Sequence, residues 1–532
     1  MSDAPGPDDP GADGSGVGGP DGGGLEALLD AAEAVAVDGP ERFDLLDRLR
    51  ADPGLATVAG PPALRAARLL SVSGDPNDLP AVANLAGRAH QAGVDGAGPV
   101  HAEAIDKISL FQNRPQPYGT VMVEHQGDIV QPPVDPRTAD EERQALGLPT
   151  LAVMRERMEE ASRRLAVERA RTPGALPPGQ RFCRVWTGPT ASQLRARLAA
   201  EGARAWADGD ILTFVAESDV AVAVTPVFPL PSWPVGRHLQ VLQVRVERLE
   251  EAVITYTFTP LAGHEAPMVM RRGSHDGRFR GPAAPEELPS NDPLVGTMFD
   301  HAVESDALGG PRTVTVYRPP ADRSAGPGAA PVPVVYATDG NMFAPYARRL
   351  DAAIGTGACP PVVVVAAHAA PMNQVDGNIR ALEYLQGFDD ERFAAHQRFF
   401  TVELVAWAEN ELGVATDPGL RGVFGCSDGG GHALATAARN PRAYGHVFAY
   451  STGMPPEPAS LPGGWGADTH PMVHLCAGTL ESGFHQATEA WAGYLHLEGA
   501  RYHFTERVAG HDLIQWCEEL PRALARAWGP SA

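Results

Sequence analysis

The chain has 532 residues, of which 43% are hydrophobic and 20% charged, and a formal net charge of −23. That length exceeds one ordinary core, so several domains are expected, and the acidic balance excludes a general nucleic-acid or anionic-membrane binder. No apolar run reaches the roughly 18 residues of a membrane-spanning helix, and five cysteines with no C-x-x-C spacing exclude a disulfide framework or zinc knuckle.

Residues 1–24, "MSDAPGPDDPGADGSGVGGPDGGG", are acidic and glycine-rich, with neither a basic start nor an apolar core. They read as a disordered lead-in rather than a signal peptide, and the expected compartment is the cytoplasm. Residues 25–172 begin and end helically: "LEALLDAAEAVAV" and "LAVMRERMEEASRRLAVERA" repeat apolar residues at spacings of three and four. This predicts a mainly helical domain. Lys107 within it is the only lysine of the chain. A P-loop, Schiff-base or Ser–Lys chemistry would have to use it, and no phosphate-loop pattern surrounds it.

The proline- and glycine-rich "TPGALPPGQ" marks a boundary. Over residues 181–265 the period changes to β-branched and aromatic runs, "ILTFVAE", "VAVAVTPVF", "LQVLQVRVERL" and "AVITYTFTP", which predict a small antiparallel sandwich. Residues 266–295 form a connecting segment. From residue 296 to 532 strands alternate with helices. "RTVTVYRPP", "VPVVYATDG", "PPVVVVAAH", "LRGVFGCS", "GHVFAYST", "PMVHLCAG" and "RYHFTERVAG" are the strands; "MFAPYARRLDAAI", "ERFAAHQRFFTVELVAWAENELG", "GGHALATAARNP" and "DLIQWCEELPRALARAW" are helices. The fold class is α/β, with a parallel sheet covered on both faces that binds ligands at its strands' carboxyl ends.

One of those ends carries "GCSDG", in which Gly425, Ser427 and Gly429 fit G-x-S-x-G. The glycines lack the β-carbons that would clash in a sharp strand-to-helix elbow. Glu481 follows a later strand and His511 the last one, so the order is Ser…Glu…His. A nucleophilic serine needs a base to take its proton and an acid to hold the imidazole's tautomer. Cys426 is a rival nucleophile, but the middle residue of an elbow projects into the site and its neighbours turn away. Asp428 would supply half of an oxyanion hole through its backbone N–H.

With these motifs on the page, the C-terminal half resembles the esterase D group of α/β-hydrolases, most of all its enterochelin (ferric siderophore) esterase branch. The resemblance rests on "RTVTVYRPP", "PVVYATDGNMF", the R-x-x-E-Y of Arg380, Glu383 and Tyr384, "GCSDGG", "AGTLE" and "GHDLIQW" with Trp516. The sandwich followed by "FRGPAAP" resembles the immunoglobulin-like N-terminal domain of such enzymes, and the likeness covers about residues 181–530. It implies that Ser427 attacks an ester carbonyl, that His511 is base and then acid, and that Glu481 orients it. Asp468 and Asp512 are alternative acids, Asp512 reading otherwise as a cap of the last helix. The second oxyanion donor is expected at Gly340 or Asn341. Arg380 either clamps an anionic substrate group or pairs with Glu383. His432 reads as a packing or capping residue, and no metal or cofactor is expected. The expected partner is a small-molecule ester: siderophore-like, or a feruloyl, acetyl or other acyl ester.

The N-terminal region resembles an uncharacterised bacterial domain through Gln116, Gly119, Thr120, Asp135, Arg143 and Gly147, with Val121 where a glutamine is usual. His101, Glu103, Asp106 and His125 invite a metal site, but solvated helix faces account for them. A helical accessory or interaction domain is expected. The competing reading is a binding protein in which the hydrolase fold is a scaffold and this region carries the function.

Overall fold

The computed structural model describes residues 24–35, 40–73, 75–112, 114–125, 128–225, 227–261, 276–320, 331–370, 378–457, 465–466, 470–481 and 483–529. The expected lead-in, Gly24 apart, lies outside them, as do Asp468 and the first ten residues of the connecting segment. The chain divides into two compact units, Met1–Leu165 and Ala166–Ala532. The division falls inside the long helix Leu151–Ala170 rather than at the proline-rich boundary, and the expected sandwich and α/β region share the second unit.

In the first unit, helices Leu25–Ala34, Pro40–Ala51, Gly60–Ser71, Leu79–Gln91 and Ala97–Phe111 enclose a core that includes Leu29, Leu46, Leu49, Leu64, Val82 and Leu85. A short hairpin, β1 (Val123–His125) and β2 (Asp128–Val130), and the helices Asp140–Ala145 and Leu151–Ala170 follow.

Among the described residues the second unit opens with nine strands: β3 (Phe182–Arg184), β4 (Ala205–Asp208), β5 (Ile211–Glu217), β6 (Val222–Thr225), β7 (Phe228–Pro231), β8 (Trp233–Pro234), β9 (Leu239–Val246), β10 (Val253–Pro260) and β11 (Gly277–Arg280). They form two antiparallel sheets, β11-β10-β6-β7 and β3-β9-β5-β4 with β8 on β9. Phe182, Phe214, Phe228, Leu242, Ile254 and Tyr256 fill one core between them. A helix, Ala191–Glu201, interrupts the strands; the strand-period reading of this region did not include it.

Strands β12 (Thr297–Val303), β13 (Arg312–Arg318), β14 (Val334–Ala337), β15 (Val363–Ala367), β16 (Arg421–Cys426), β17 (His446–Tyr450), β18 (Met472–Gly478) and β19 (Tyr502–Arg507) build the large sheet. Its order is β12-β13-β15-β14-β16-β17-β18-β19, with β12 and β13 antiparallel to their neighbours and β14 to β19 parallel. Val334 and Tyr336 face one core with helices Asp428–Arg439 and Phe484–Leu497; Val335 and Ala337 face the other with helices Ala344–Thr356 and Leu513–Trp528. Burial on both faces is why the central strands read as continuous apolar runs. Among the described residues no helix is long and apolar enough to cross a membrane.

Candidate active site

β16 ends at Cys426, Ser427 follows at φ 57°, ψ −127°, and the helix Asp428–Arg439 begins at once. A non-glycine residue at positive φ is strained and persists only where its surroundings hold it. Here glycines do so. A β-carbon on Gly425 would lie 2.0 Å from the Gly429 carbonyl oxygen, and one on Gly429 would lie 2.3 Å from Thr338 Oγ1. The Ser427 amide donates to the Tyr450 carbonyl, and its own carbonyl accepts from Gly430 and Gly431. Its hydroxyl makes no hydrogen bond among the described residues.

The contact of Gly429 with Thr338 brings the elbow against the turn after β14. There Asp339 adopts φ 56°, and a β-carbon on Gly340 would lie 2.1 Å from the Ala366 carbonyl oxygen. The amides of Asp428, Gly340 and Asn341 donate to no acceptor among the described residues. Unused N–H groups at a helix start and an adjoining turn suit a developing negative charge.

Glu481 is 2% exposed and follows β18. Its Oε2 lies 2.7 Å from His511 Nδ1. Its Oε1 accepts from the Ser451 hydroxyl (2.8 Å), the Gly478 amide (2.5 Å) and Gln515 Nε2 (2.5 Å). Trp516 Nε1 donates to Ser451 Oγ at 2.8 Å, so the carboxylate is fixed from three elements. The Phe484 ring stacks on His511 at 4.0 Å, and Trp516 meets it edge-on at 4.8 Å. A β-carbon on Gly453 would lie 3.2 Å from the Phe484 ring and 3.9 Å from Asp428 Oδ1, which places the histidine's stacking partner beside the elbow. His511 Nε2 makes no hydrogen bond among the described residues.

The rival residues have other partners. Asp512 caps the last helix through Ile514 N (2.8 Å) and Gln515 N (3.2 Å), and its Oδ2 accepts from Thr255 of the sandwich at 3.1 Å. Burial pushes its carboxyl up to about 6 against those hydrogen bonds. Cys426 is buried beside the Tyr346 hydroxyl at 3.2 Å, and burial drives its thiol well up, away from thiolate chemistry. His432 packs against His396 at 3.0 Å, and burial lowers both imidazoles.

Arg380 does not pair with Glu383, which turns to Arg312 at 2.7 and 3.0 Å. Its guanidinium instead holds both Asp339 oxygens, at 2.7 and 2.9 Å, and Asp428. Burial would lower its basicity, but the Asp339 carboxylate outweighs this and keeps the charge. Arg380 thus ties together the two turns that carry the unused amides.

In the first unit the three suggested metal ligands whose side chains are described each have other partners. His101 Nδ1 lies 2.8 Å from the Ala83 carbonyl, Glu103 pairs with Lys107 at 2.7 Å, and Asp106 accepts from Tyr118 and Thr120. The His125 side chain lies outside the described part. Sequence reasoning missed Ser451, Gln515 and Phe484. The available signal for Ser451 is its place just past the carboxyl end of β17, next to the nucleophile strand.

Residues 305–527 match the family described as putative esterase. No curated protein matches the chain. Among solved structures, the enterobactin esterase of Shigella flexneri is similar at 18% identity over 60% of this chain and 93% of that one, with a TM-score of 0.44. The ferric enterobactin esterase of Salmonella typhimurium is 17% identical over 63% and 98%, with a TM-score of 0.48. The S-formylglutathione hydrolase of Staphylococcus aureus is 12% identical over 45% and 97%, with a TM-score of 0.33.

Proposed function

We propose, from the match of residues 305–527 to the family described as putative esterase, that the chain is a serine carboxylic-ester hydrolase working through Ser427, His511 and Glu481. Ser427 Oγ attacks the acyl carbonyl while His511 Nε2 takes its proton; Glu481, on Nδ1, holds the tautomer. The tetrahedral oxyanion is received by the amide of Asp428 and by that of Gly340 or Asn341. His511 then protonates the departing alcohol, and a water molecule repeats the sequence on the acyl-enzyme. The observation that carries this reading is the 2.7 Å contact between His511 Nδ1 and Glu481, with the strained Ser427 elbow beside it.

For the substrate, the ordered motif series favours a siderophore-type ester of the enterobactin kind, with Arg380 as the cation nearest its acyl group. A second reading, neutral feruloyl, acetyl or other acyl esters, is favoured by the two carboxylates that neutralise Arg380. Labelling with a fluorophosphonate probe tests the enzyme reading against a scaffold-only protein. Wild type should be labelled covalently and hydrolyse p-nitrophenyl butyrate, and Ser427→Ala should do neither. Failure of the wild type to label or turn over any ester sinks the proposal.

A further inference from the structure

The motif of the first unit folds into a frame around one arginine. Gln116 is fully buried and spans the Val121 amide (2.8 Å) and the Val121 and Pro132 carbonyls (3.2 and 3.1 Å). Asp106, also fully buried, accepts from the amides of Tyr118 and Thr120 and from the Thr120 hydroxyl, each at 2.7 Å. Gly119 sits at φ +64°, where a β-carbon would come within 2.9 Å of Val134 and 3.0 Å of Leu151. Asp140 caps the next helix by accepting from the Leu151 amide at 2.9 Å. Each of these polar side chains has its partners inside the frame.

Arg143 does not. Its side chain is 0% exposed, and only Nε is used, donating to the Pro149 carbonyl at 2.9 Å. Its nearest carboxylate, Asp140, is 3.9 Å from Nε, and both Nη1 and Nη2 are buried with no partner. Arg155, on the following helix and part-exposed, likewise has its Nε buried and unpartnered. Burial lowers the basicity of Arg143; Asp140 and Asp106 oppose this, and Arg155 is close enough to add to it. Four guanidinium N–H groups enclosed without acceptors cost more than a fold gains by keeping them, because an unpaired buried charge is among the most destabilising features known. Aliphatic packing would serve the core better. A planar fork of unpartnered donors, with a second guanidinium near enough to act on it, suits the two oxygens of a carboxylate or phosphate.

We propose that Arg143 and Arg155 form an oxyanion-recognising site in the N-terminal unit, which takes a small ligand through its carboxylate or phosphate group. The ligand enters beside Arg155, and its oxygens bridge Nη1 and Nη2 of Arg143 behind it. The frame of Asp106, Gln116 and Thr120 fixes the backbone that aims the guanidinium, being itself fully committed.

Hydrogen exchange on the full-length protein tests this, in inorganic phosphate, in acetate and in chloride at matched ionic strength, about 10 mM of each probe anion. At a concentration near ten times Kd, binding to the folded form alone slows opening about tenfold. Such a slowing is expected over residues 114–155 in phosphate or acetate and not in chloride; which of the two acts identifies the group. Arg143→Met should abolish the effect, with exchange in chloride as slow as wild type or slower, since it removes an unpaired buried charge. Arg155→Met, at a part-exposed position, should weaken the effect at least threefold and carries the test if the first variant does not fold. The proposal is overturned if neither anion slows exchange in the wild type. It is also overturned if Arg155→Met leaves the anion effect unchanged, or if Arg143→Met folds but exchanges tenfold faster in chloride, which would make Arg143 an internally satisfied structural residue.

Discussion

Ser427 and Cys426 are adjacent, yet the elbow gives them opposite surroundings: the serine is part-exposed at positive φ, and the thiol is buried against Tyr346. Ser427→Ala should therefore cut ester turnover by about 10⁴-fold or more, since nucleophile and base act as a unit. Cys426→Ala should keep most of it, and p-nitrophenyl butyrate kinetics read both. The two described candidate acids, Glu481 and Asp512, separate in the same way. Glu481→Gln should lower kcat by about 10³-fold or more, because among the described residues Glu481 is the one that touches Nδ1. Asp512→Asn should leave kcat within a few-fold, since asparagine caps a helix as well as aspartate. It should instead change stability. The Asp512 carboxyl lies at about 6 in the folded protein against an ordinary 3.8, so the folded state binds more protons and stability falls as pH rises through that window. The loss is about 3 kcal/mol. Thermal melts of Asp512→Asn between about pH 4 and 6 should be flatter than wild type; parallel curves would refute this. The elbow at Ser427 and the pairing of Glu481 with His511 were legible because each of these residues follows a strand. Ser451 and Gln515 were not. They matter through hydrogen bonds to Glu481 across 30 and 34 residues, which no local pattern encodes.

The strand-to-helix elbow is the element on which the proposed site depends; Gly425 in it is set by backbone and Gly429 by the Thr338 side chain. The β-carbon of Gly425→Ala would sit 2.0 Å from the Gly429 carbonyl oxygen, so the helix start must move. We expect a loss of about 3 kcal/mol or more in stability and at least about 10²-fold in kcat, read by denaturant melts and kinetics; a stable, active variant would show that the elbow is not strained. The central strands were legible as apolar runs because both faces are covered. β12 was not, being an edge strand whose residues are mostly exposed and carry no alternation. The helix Ala191–Glu201 was missed although Thr190 and Gln193 form a capping box at its start, a signal present in the sequence and outweighed by the surrounding strand period. The partner of Arg380 was unreadable for another reason. Glu383 is one turn away along the helix, but Asp339 and Asp428 reach Arg380 from two turns that only the sheet brings together.

At the scale of the whole molecule, the sandwich braces the loops that carry Glu481 and His511. Leu480 and Val508 belong to its core, Val253 N donates to the Val508 carbonyl, and Thr255 reaches Asp512. The overall charge of −23 would act on any charged substrate. A ferric triscatecholate is strongly anionic; were it the substrate it would approach a repelling surface, and Arg380, already shared between two carboxylates, would be the local cation to meet it. Arg380→Ala therefore has two separable effects. Releasing Asp339 and Asp428 leaves two anions beside the oxyanion amides, so kcat should fall by about 10-fold or more for every ester. Loss of an attractive contact should raise KM for an anionic ester alone. Wild-type kcat/KM on a siderophore-type ester should fall several-fold between low and high salt, because a local attraction is screened over a Debye length of about 10 Å at 0.1 M. A neutral feruloyl or acetyl ester should change little. Steady-state kinetics on ferric and iron-free enterobactin-type esters, feruloyl esters and acetylated sugars, with both proteins at two salt concentrations, decide the matter. If the trilactone is untouched, or its kcat/KM rises with salt while neutral esters turn over freely, long-range repulsion outweighs Arg380. The substrate is then a neutral acyl ester.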